Sequence, residues 1–362
     1  MLLGHTRDAR WPAPAAALEQ AREFLVACRD RHVLVAPRTD VDGLTSGVLM
    51  LRALQSLGAR PTARLPGKGE DIHHPAFLER LAASSVEALV VLAMGTRADP
   101  LLPGVPTLIV GPPASDDAPP GARVLTAHGH EPVASTSLLT YVLTSSFVVP
   151  GPLEWLAVLG TVAALGADAP MPFLKDALRR AKRTAITESV ALLNAARRSS
   201  RFAAPLAMQV LLRAGGAADI AEGRVPGVDA LRDCRLEVQR EVARCARTPP
   251  RFAGHQALLL FSSEARVHSL VAMRWVQRLP EHTLIAANTG YLPGRVEFVI
   301  RGRAQVELPE PLRGLVPAAP GDAFARAIRG SLPPGEFLRL MDALGFRGLS
   351  SRDVERRGVA PG

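Results

Sequence analysis

Lysine is nearly missing from this chain. Of 43 Lys and Arg residues only Lys68, Lys175 and Lys182 are lysines, so arginine carries almost all of a net charge of +9. The plain explanation is a coding preference for arginine. The functional one is phosphate recognition, to which the planar guanidinium fork is suited. The two are compatible, because a basic surface attracts polyanions whatever its origin. Cysteine is almost as scarce: Cys28, Cys234 and Cys245 are odd in number and far apart. That excludes a disulfide framework and a structural zinc site built on paired cysteines. Aromatic residues make up 4 % of the chain. No apolar run approaches the length of a membrane span; those at 33–36 and 89–92 are far too short. Residues 1–10 are short and polar, unlike a secretory leader, so a cytoplasmic protein without membrane attachment is expected.

What is present is an ordinary globular composition, 48 % hydrophobic and 21 % charged, over 362 residues, enough for two domains with a core each. Helical spacing over 15–29 leads into an apolar run at 32–36, a loop at 37–42 and a helix over 44–57. A helix at 75–83 and strands at 88–93, 107–110 and 123–127 follow, then helices at 135–145 and 153–165. This alternation predicts an α/β domain with a parallel sheet over 1–168. Its ligand edge would carry the loops after Ala36, Leu92 and Val110. Residues 169–250 read as a helical connector containing one long basic helix at 173–198 and another at 227–246. A smaller α/β domain is expected over 251–350, with strands at 257–261, 283–288 and 296–301, helices at 268–278 and 336–344, and a frayed tail over 351–362.

The most informative stretch is 33–54, VLVAPRTDVDGLTSGVLMLRAL. Asp40 and Asp42, at i and i+2 in a loop, can face one hard cation such as Mg²⁺ or Mn²⁺. Gly43 permits the tight turn into the helix, and Thr45 and Ser46 would bring hydroxyls and N–H groups to an anion at the helix N-terminus. The bland alternative is an acidic turn that merely caps a helix.

With its flanks, this segment resembles the first motif of the DHH phosphoesterase family, the RecJ-type exonucleases most closely: a strand, D-x-D-x-D-G, then a helix of small residues. Asp40 and Asp42 match the last two acids, and Arg38 stands at the first. Leu159-Gly160-Thr161-Val162-Ala163 resembles the fourth motif, with Ala164 at its acid. By context, Ala93 falls at the acid of the second motif and Gly111-Pro112-Pro113 at the D-H-H of the third. Residues 296–301 are similar to a strand of the family's substrate-binding domain that ends in arginine, here Arg301, and Phe324 falls near the histidine of its glycine-rich signature.

The resemblance implies a two-domain phosphoesterase fold whose chemistry is metal-activated attack of water on a phosphodiester, with two ions clamping the reaction. Most of the implied ligands are replaced by alanine, glycine or proline. The expectation is therefore a catalytically degenerate relative that binds a phosphate-bearing ligand, single-stranded nucleic acid or a nucleotide, in an interdomain cleft. Arg38, Gly43, Thr45, Ser46 and Arg301 would contact it, while Asp40 and Asp42 would be residual catalytic groups holding at most one hydrated Mn²⁺ or Mg²⁺. The alternatives are an active Mn²⁺-dependent phosphodiesterase with substitute ligands among His73, His74, His128 and His130, and a scaffold for a protein partner.

Overall fold

The computed structural model describes residues 11–95, 97–111, 118–149, 151–171, 173–302 and 327–355. Pro112, Pro113 and Phe324 lie outside the described residues. The chain divides into two compact units: one of Met1–Arg197 with Phe202–Arg232, the other of Arg198–Arg201 with Asp233–Gly362.

The first unit is a doubly wound α/β layer. Its strands β1 (His32–Pro37), β2 (Arg60–Ala63), β3 (Ala88–Leu92), β4 (Thr107–Val110) and β5 (Arg123–Leu125) lie in the order β2-β1-β3-β4-β5, all parallel. Strands β3 and β4 are buried throughout, as expected where both faces of a sheet are covered. On one side lie the helices α1 (Ala15–Val26), α2 (Val41–Ser56), α4 (Thr136–Thr144) and α5 (Glu154–Leu165); α3 (Pro75–Ala82) contributes Phe77 and Leu81 to a separate core on the other. This strand order reverses direction between β1 and β3, so the crevice beyond their carboxyl ends is where such a sheet receives a ligand.

Two glycines report how tightly the helices cross. A side chain at Gly160, in α5, would overlap the hydroxyls of Ser137 and Thr45. A methyl at Gly43 would overlap the carbonyl of Arg38. The fourth-motif glycine therefore packs against the small-residue start of α2.

The sequence expectation of one helix over 173–198 is corrected. The segment is two helices, α6 (Leu174–Arg180) and α7 (Arg183–Arg198), broken at Lys182, whose backbone is left-handed at φ 61°. Two short helices follow, α8 (Ala204–Arg213) and α9 (Ala217–Ala221), before α10 (Val228–Cys245).

The second unit holds a mixed sheet of β6 (Arg251–Ala253), β7 (Gln256–Phe261), β8 (Thr283–Leu292), β9 (Arg295–Arg301) and β10 (Ala327–Leu332), in the order β10-β9-β8-β7-β6. Only β7 and β8 are parallel. One face packs on α10 and α11 (His268–Val276), the other on the helix Pro334–Ala343. Beyond it, Ser351–Val354 form a capped helical turn where a frayed tail was expected. Among the described residues no helix is long and apolar enough to cross a membrane.

Candidate functional site

The acidic segment is folded more tightly than its sequence suggests. Helix α2 begins at Val41, so Asp42 lies in the first helical turn and not in a loop. Asp40 is its N-cap: Oδ1 accepts the Gly43 N–H at 3.0 Å. An N-cap carboxylate satisfies one of the orphan donors of the first turn and complements the helix dipole.

The other Asp40 oxygen faces two arginines. Arg38 Nε lies 3.0 Å from Oδ2, and Arg197 Nη1 lies 3.9 Å from the same atom. Arg38 is 51 % exposed while Asp40 is 18 % exposed, so the pair sits at the mouth of the site with the carboxylate inward. Arg38, which the sequence resemblance aligns with the first acidic position of the motif, sets its guanidinium against the Asp40 carboxylate.

Asp42 turns inward and is bound by another helix. Its Oδ1 accepts the N–H of Ser137 at 2.8 Å and its Oδ2 the N–H of Thr136 at 3.1 Å. These are the first two N–H groups of α4, so Asp42 acts as a cap supplied from a distant segment. Loss of water, and after it the adjacent Asp40, push its carboxyl up to about 6 against the opposing pull of the donors at Ser137 and Thr136.

Thr45 and Ser46, expected to face an anion, do not. Both are fully buried. Thr45 Oγ1 donates to the Val41 carbonyl at 2.8 Å and Ser46 Oγ to the Asp42 carbonyl at 2.6 Å, so each hydroxyl is spent on its own helix. Ser135 joins this polar layer, bridging Ser137 at 3.0 Å and Thr161 at 2.8 Å. Gly43 serves the close approach to Arg38, which any side chain would block.

Among the described residues, the neighbouring strand ends at Ala93 and Gly111 carry no ligand side chains. The ladder continues one step past each strand: Arg38 N–H donates to Leu92 O at 2.9 Å, Ala93 N–H to Val110 O at 3.0 Å and Gly111 N–H to Leu125 O at 3.0 Å. Ala93 is held at φ 59° and Gly111 at φ 129°. A Cβ on Gly111 would come within 3.1 Å of the Ala93 backbone and 2.8 Å of Thr136 Oγ1. These are the positions where the second and third motifs of the family would place metal ligands. Thr136 Oγ1 is buried there without a hydrogen-bond partner among the described residues.

A two-metal centre needs several anionic or imidazole donors converging on the ions. Among the described residues no group of three or more His, Cys, Asp and Glu is placed to hold one. His73 is held below its usual range mainly by burial, and its Nε2 has no partner among the described residues. His74 occupies the N-cap position of α3 without a side-chain capping bond, and the backbone N–H of His128 donates to the nearby Thr126 hydroxyl. The donors present among the described residues do not fit the two-metal arrangement that the sequence resemblance implies.

The second unit contains a group that the sequence did not reveal. Along β9, Val299 packs on the α10–α11 side and Val296, Phe298 and Ile300 pack on the other. Strand alternation puts Glu297 and Arg301 on the α10–α11 side with Val299. Arg329 of β10 pairs with Val299, so it shares that face. Arg266 approaches from the segment before α11, its Nη2 3.9 Å from Glu297 Oε2 and its guanidinium over the Tyr291 ring at 5.7 Å. The Arg266 N–H donates to the Arg198 carbonyl at 2.7 Å, which ties Arg198 into the group. Burial holds the Arg198 guanidinium below its usual range, and the charges of Arg266 and Arg329 add to the effect. Its side chain has no carboxylate partner among the described residues. Arg301 Nε is likewise buried without a hydrogen-bond partner among them. His268, at the start of α11, is pushed down to about 3, first by burial and then by Arg266, Arg329 and Arg198.

A parallel sheet of order 2-1-3-4-5 with the DxDG turn at its crevice, followed by a mixed-sheet unit bearing arginines, defines a two-unit α/β chain. Comparison with solved structures makes this specific: the chain carries the DHH fold as seen in RecJ. A manganese-bound RecJ exonuclease superposes with a TM-score of 0.68 at 17 % identity, covering 93 % of this chain and 98 % of that one. RecJ of Thermus thermophilus with Mn²⁺ gives 0.67 at 17 % identity over 92 % of this chain, which spans 55 % of that protein's length. The DHH domain of a member of a ribosomal-protein family gives 0.61 at 12 % identity, covering 91 % of this chain and 89 % of that one. No family model matches the sequence, and no curated protein matches it.

Proposed function

We propose that this chain is a catalytically degenerate DHH-type protein that binds a phosphate-bearing ligand, single-stranded nucleic acid or a nucleotide, and does not hydrolyse it. The observation that carries the binding half is Arg198: a guanidinium depressed by burial and by two further arginines, with no carboxylate partner among the described residues. A buried cation with so little counter-charge is stabilised by an anion that comes from outside the protein. Phosphate contacts of this kind give affinity without base specificity. Arg301 and Arg329 extend the group, and Arg38 offers an exposed guanidinium of its own. The non-catalytic half is supported by the donor set at the strand ends, where Ala93 and Gly111 contribute no side-chain ligand and Asp42 is engaged by α4.

The test is fluorescence anisotropy with labelled single-stranded DNA, RNA and short oligonucleotides over a salt series, together with a Mn²⁺-supplemented hydrolysis assay on the same oligonucleotides and on bis-p-nitrophenyl phosphate. The expected result is salt-sensitive binding with no turnover. Absence of binding at low salt removes the phosphate reading and leaves a protein scaffold. Turnover abolished by Asp42→Ala overturns the degenerate reading in favour of an active phosphodiesterase.

A further inference from the structure

We infer that Arg38 and Arg197 take the place of the divalent cation in this fold, so that the acidic turn is a metal-free, guanidinium-neutralised centre which meets an oxyanion through Arg38. The inference starts from the misfit between the donors at the strand ends and a metal. In a metal-dependent site, neighbouring carboxylates such as Asp40 and Asp42 repel each other until an ion neutralises them. Here that neutralisation is built into the chain. Arg38 Nε at 3.0 Å and Arg197 Nη1 at 3.9 Å meet the single Asp40 oxygen that the helix cap leaves free. Both Asp42 oxygens are committed to the α4 N–H groups. Two carboxylates and two guanidiniums leave the group neutral, and an incoming cation would have to displace Arg38.

Arg38 is also poised to do what the ion would otherwise do for a ligand. Its Nε lies 3.0 Å from Asp40 Oδ2 and its side chain is 51 % exposed. A guanidinium anchored at Nε presents its remaining N–H groups as a fork that matches two oxygens of a phosphate. The ligand class is a phosphodiester or phosphomonoester oxyanion, held without metal. This second element rests on the phosphate-binding reading above; the metal-free centre does not.

The experiment uses the full chain and reads thermal unfolding in EDTA and in millimolar Mn²⁺ for wild type, Arg38→Ala and Arg38→Ala/Asp40→Asn. Wild type is expected to have the same Tm in both. Arg38→Ala is expected to lose ~2–4 °C in EDTA, and the added Asp40→Asn to restore it, since asparagine caps a helix as well as aspartate. A wild-type Tm that rises with Mn²⁺ and no longer does so after Asp40→Asn overturns the inference. So does an Arg38→Ala variant as stable as wild type, or one that Asp40→Asn fails to rescue. Oligonucleotide anisotropy in the same two buffers separates the readings: binding that survives EDTA and weakens several-fold in Arg38→Ala supports Arg38 as the phosphate contact. Binding that requires Mn²⁺ overturns the metal-free centre, and binding unchanged by Arg38→Ala overturns the Arg38 contact. Absence of binding in every buffer removes the phosphate-binding reading and the Arg38 contact with it, while the Tm comparison still decides the metal-free centre.

Discussion

The two arginine groups differ in what answers their charge. In the first unit, Arg38 and Arg197 converge on one oxygen of Asp40, so the acidic turn meets its counter-charge within the chain. In the second, Arg266 lies 3.9 Å from Glu297, and Arg198 faces the charges of Arg266 and Arg329 with no carboxylate partner among the described residues. The first arrangement satisfies itself. The second is left with excess positive charge in a part-buried setting, where an unpaired charge costs more than at the surface. The two units therefore treat charge differently: one sets arginines against its acidic turn, while in the other, among the described residues, Arg198 has no carboxylate partner and Arg301 Nε has no hydrogen-bond partner.

The largest expected effect comes from reversing a charge in the unbalanced group. A charge-assisted hydrogen bond contributes ~1.5–3 kcal/mol, so Arg329→Glu should weaken oligonucleotide binding by about ten- to a hundredfold. The slope of log affinity against log salt should fall by about one for each phosphate that is no longer bound. Equal losses from Arg197→Glu and Arg329→Glu would break the distinction between the groups. A change of the opposite kind is expected at Asp42. Asp42→Ala leaves the Thr136 and Ser137 N–H groups without their acceptor and should cost ~1–3 kcal/mol in urea unfolding, with affinity per folded molecule little changed. An affinity loss exceeding that of Arg329→Glu would instead make Asp42 part of the binding surface.

Much of this comparison was legible in the sequence, and its limits have physical causes. The apolar run at His32–Pro37 with the DxDG turn located the sheet edge because it is a local pattern, while the crossing of α5 at Gly160 with Ser137 and Thr45 appears only in the structure. The turn's internal bonding was less accessible. Asp42 is two residues from Asp40, yet its partners are Thr136 and Ser137, more than ninety positions away. The break at Lys182 carried no glycine or proline signal, since lysine there adopts the left-handed backbone against its own preference. Ala93 shows the converse: its φ of 59° is a conformation that Asp and Asn tolerate better than alanine, so the residue type gave no sign of the turn. The arginine group of the second unit was invisible apart from Arg301. Its members lie at 198, 266, 301 and 329, and the register of β9 with β10 is what places Arg329 on the same face.

A pH experiment sharpens the comparison further. His268 titrates near 3 in the folded chain against an ordinary value of 6.5, so the folded state holds fewer protons than the unfolded one between those values. Stability must then fall as pH drops below about 6.5, by up to ~1.4 kcal/mol per pH unit for one proton. The titratable and charged groups acting on it are Arg266, Arg329 and Arg198, all cationic. His268→Gln should flatten the dependence of the urea midpoint on pH between about 6.5 and 4.5. An unchanged dependence would mean that the arginines do not burden this histidine, and the excess charge of the second group would be in doubt.

The smallest expected effect bears most directly on whether the second group is unbalanced. Glu297 is 6 % exposed and stands 3.9 Å from Arg266, longer than the 3.0 Å contact between Arg38 and Asp40. At that separation a carboxylate offsets part of the arginines' mutual repulsion without forming a close hydrogen-bonded pair. Glu297→Gln keeps the shape and removes the charge. An incoming phosphate then no longer meets a carboxylate among its cations, so affinity for an oligonucleotide should rise by about three- to tenfold at low salt, with the gain shrinking as salt screens it. The same substitution should lower the Tm slightly, because Arg266 loses a nearby acid. If affinity instead stays level while Asp40→Asn raises it, the first unit holds the unsatisfied charge and the assignment of the two groups is reversed.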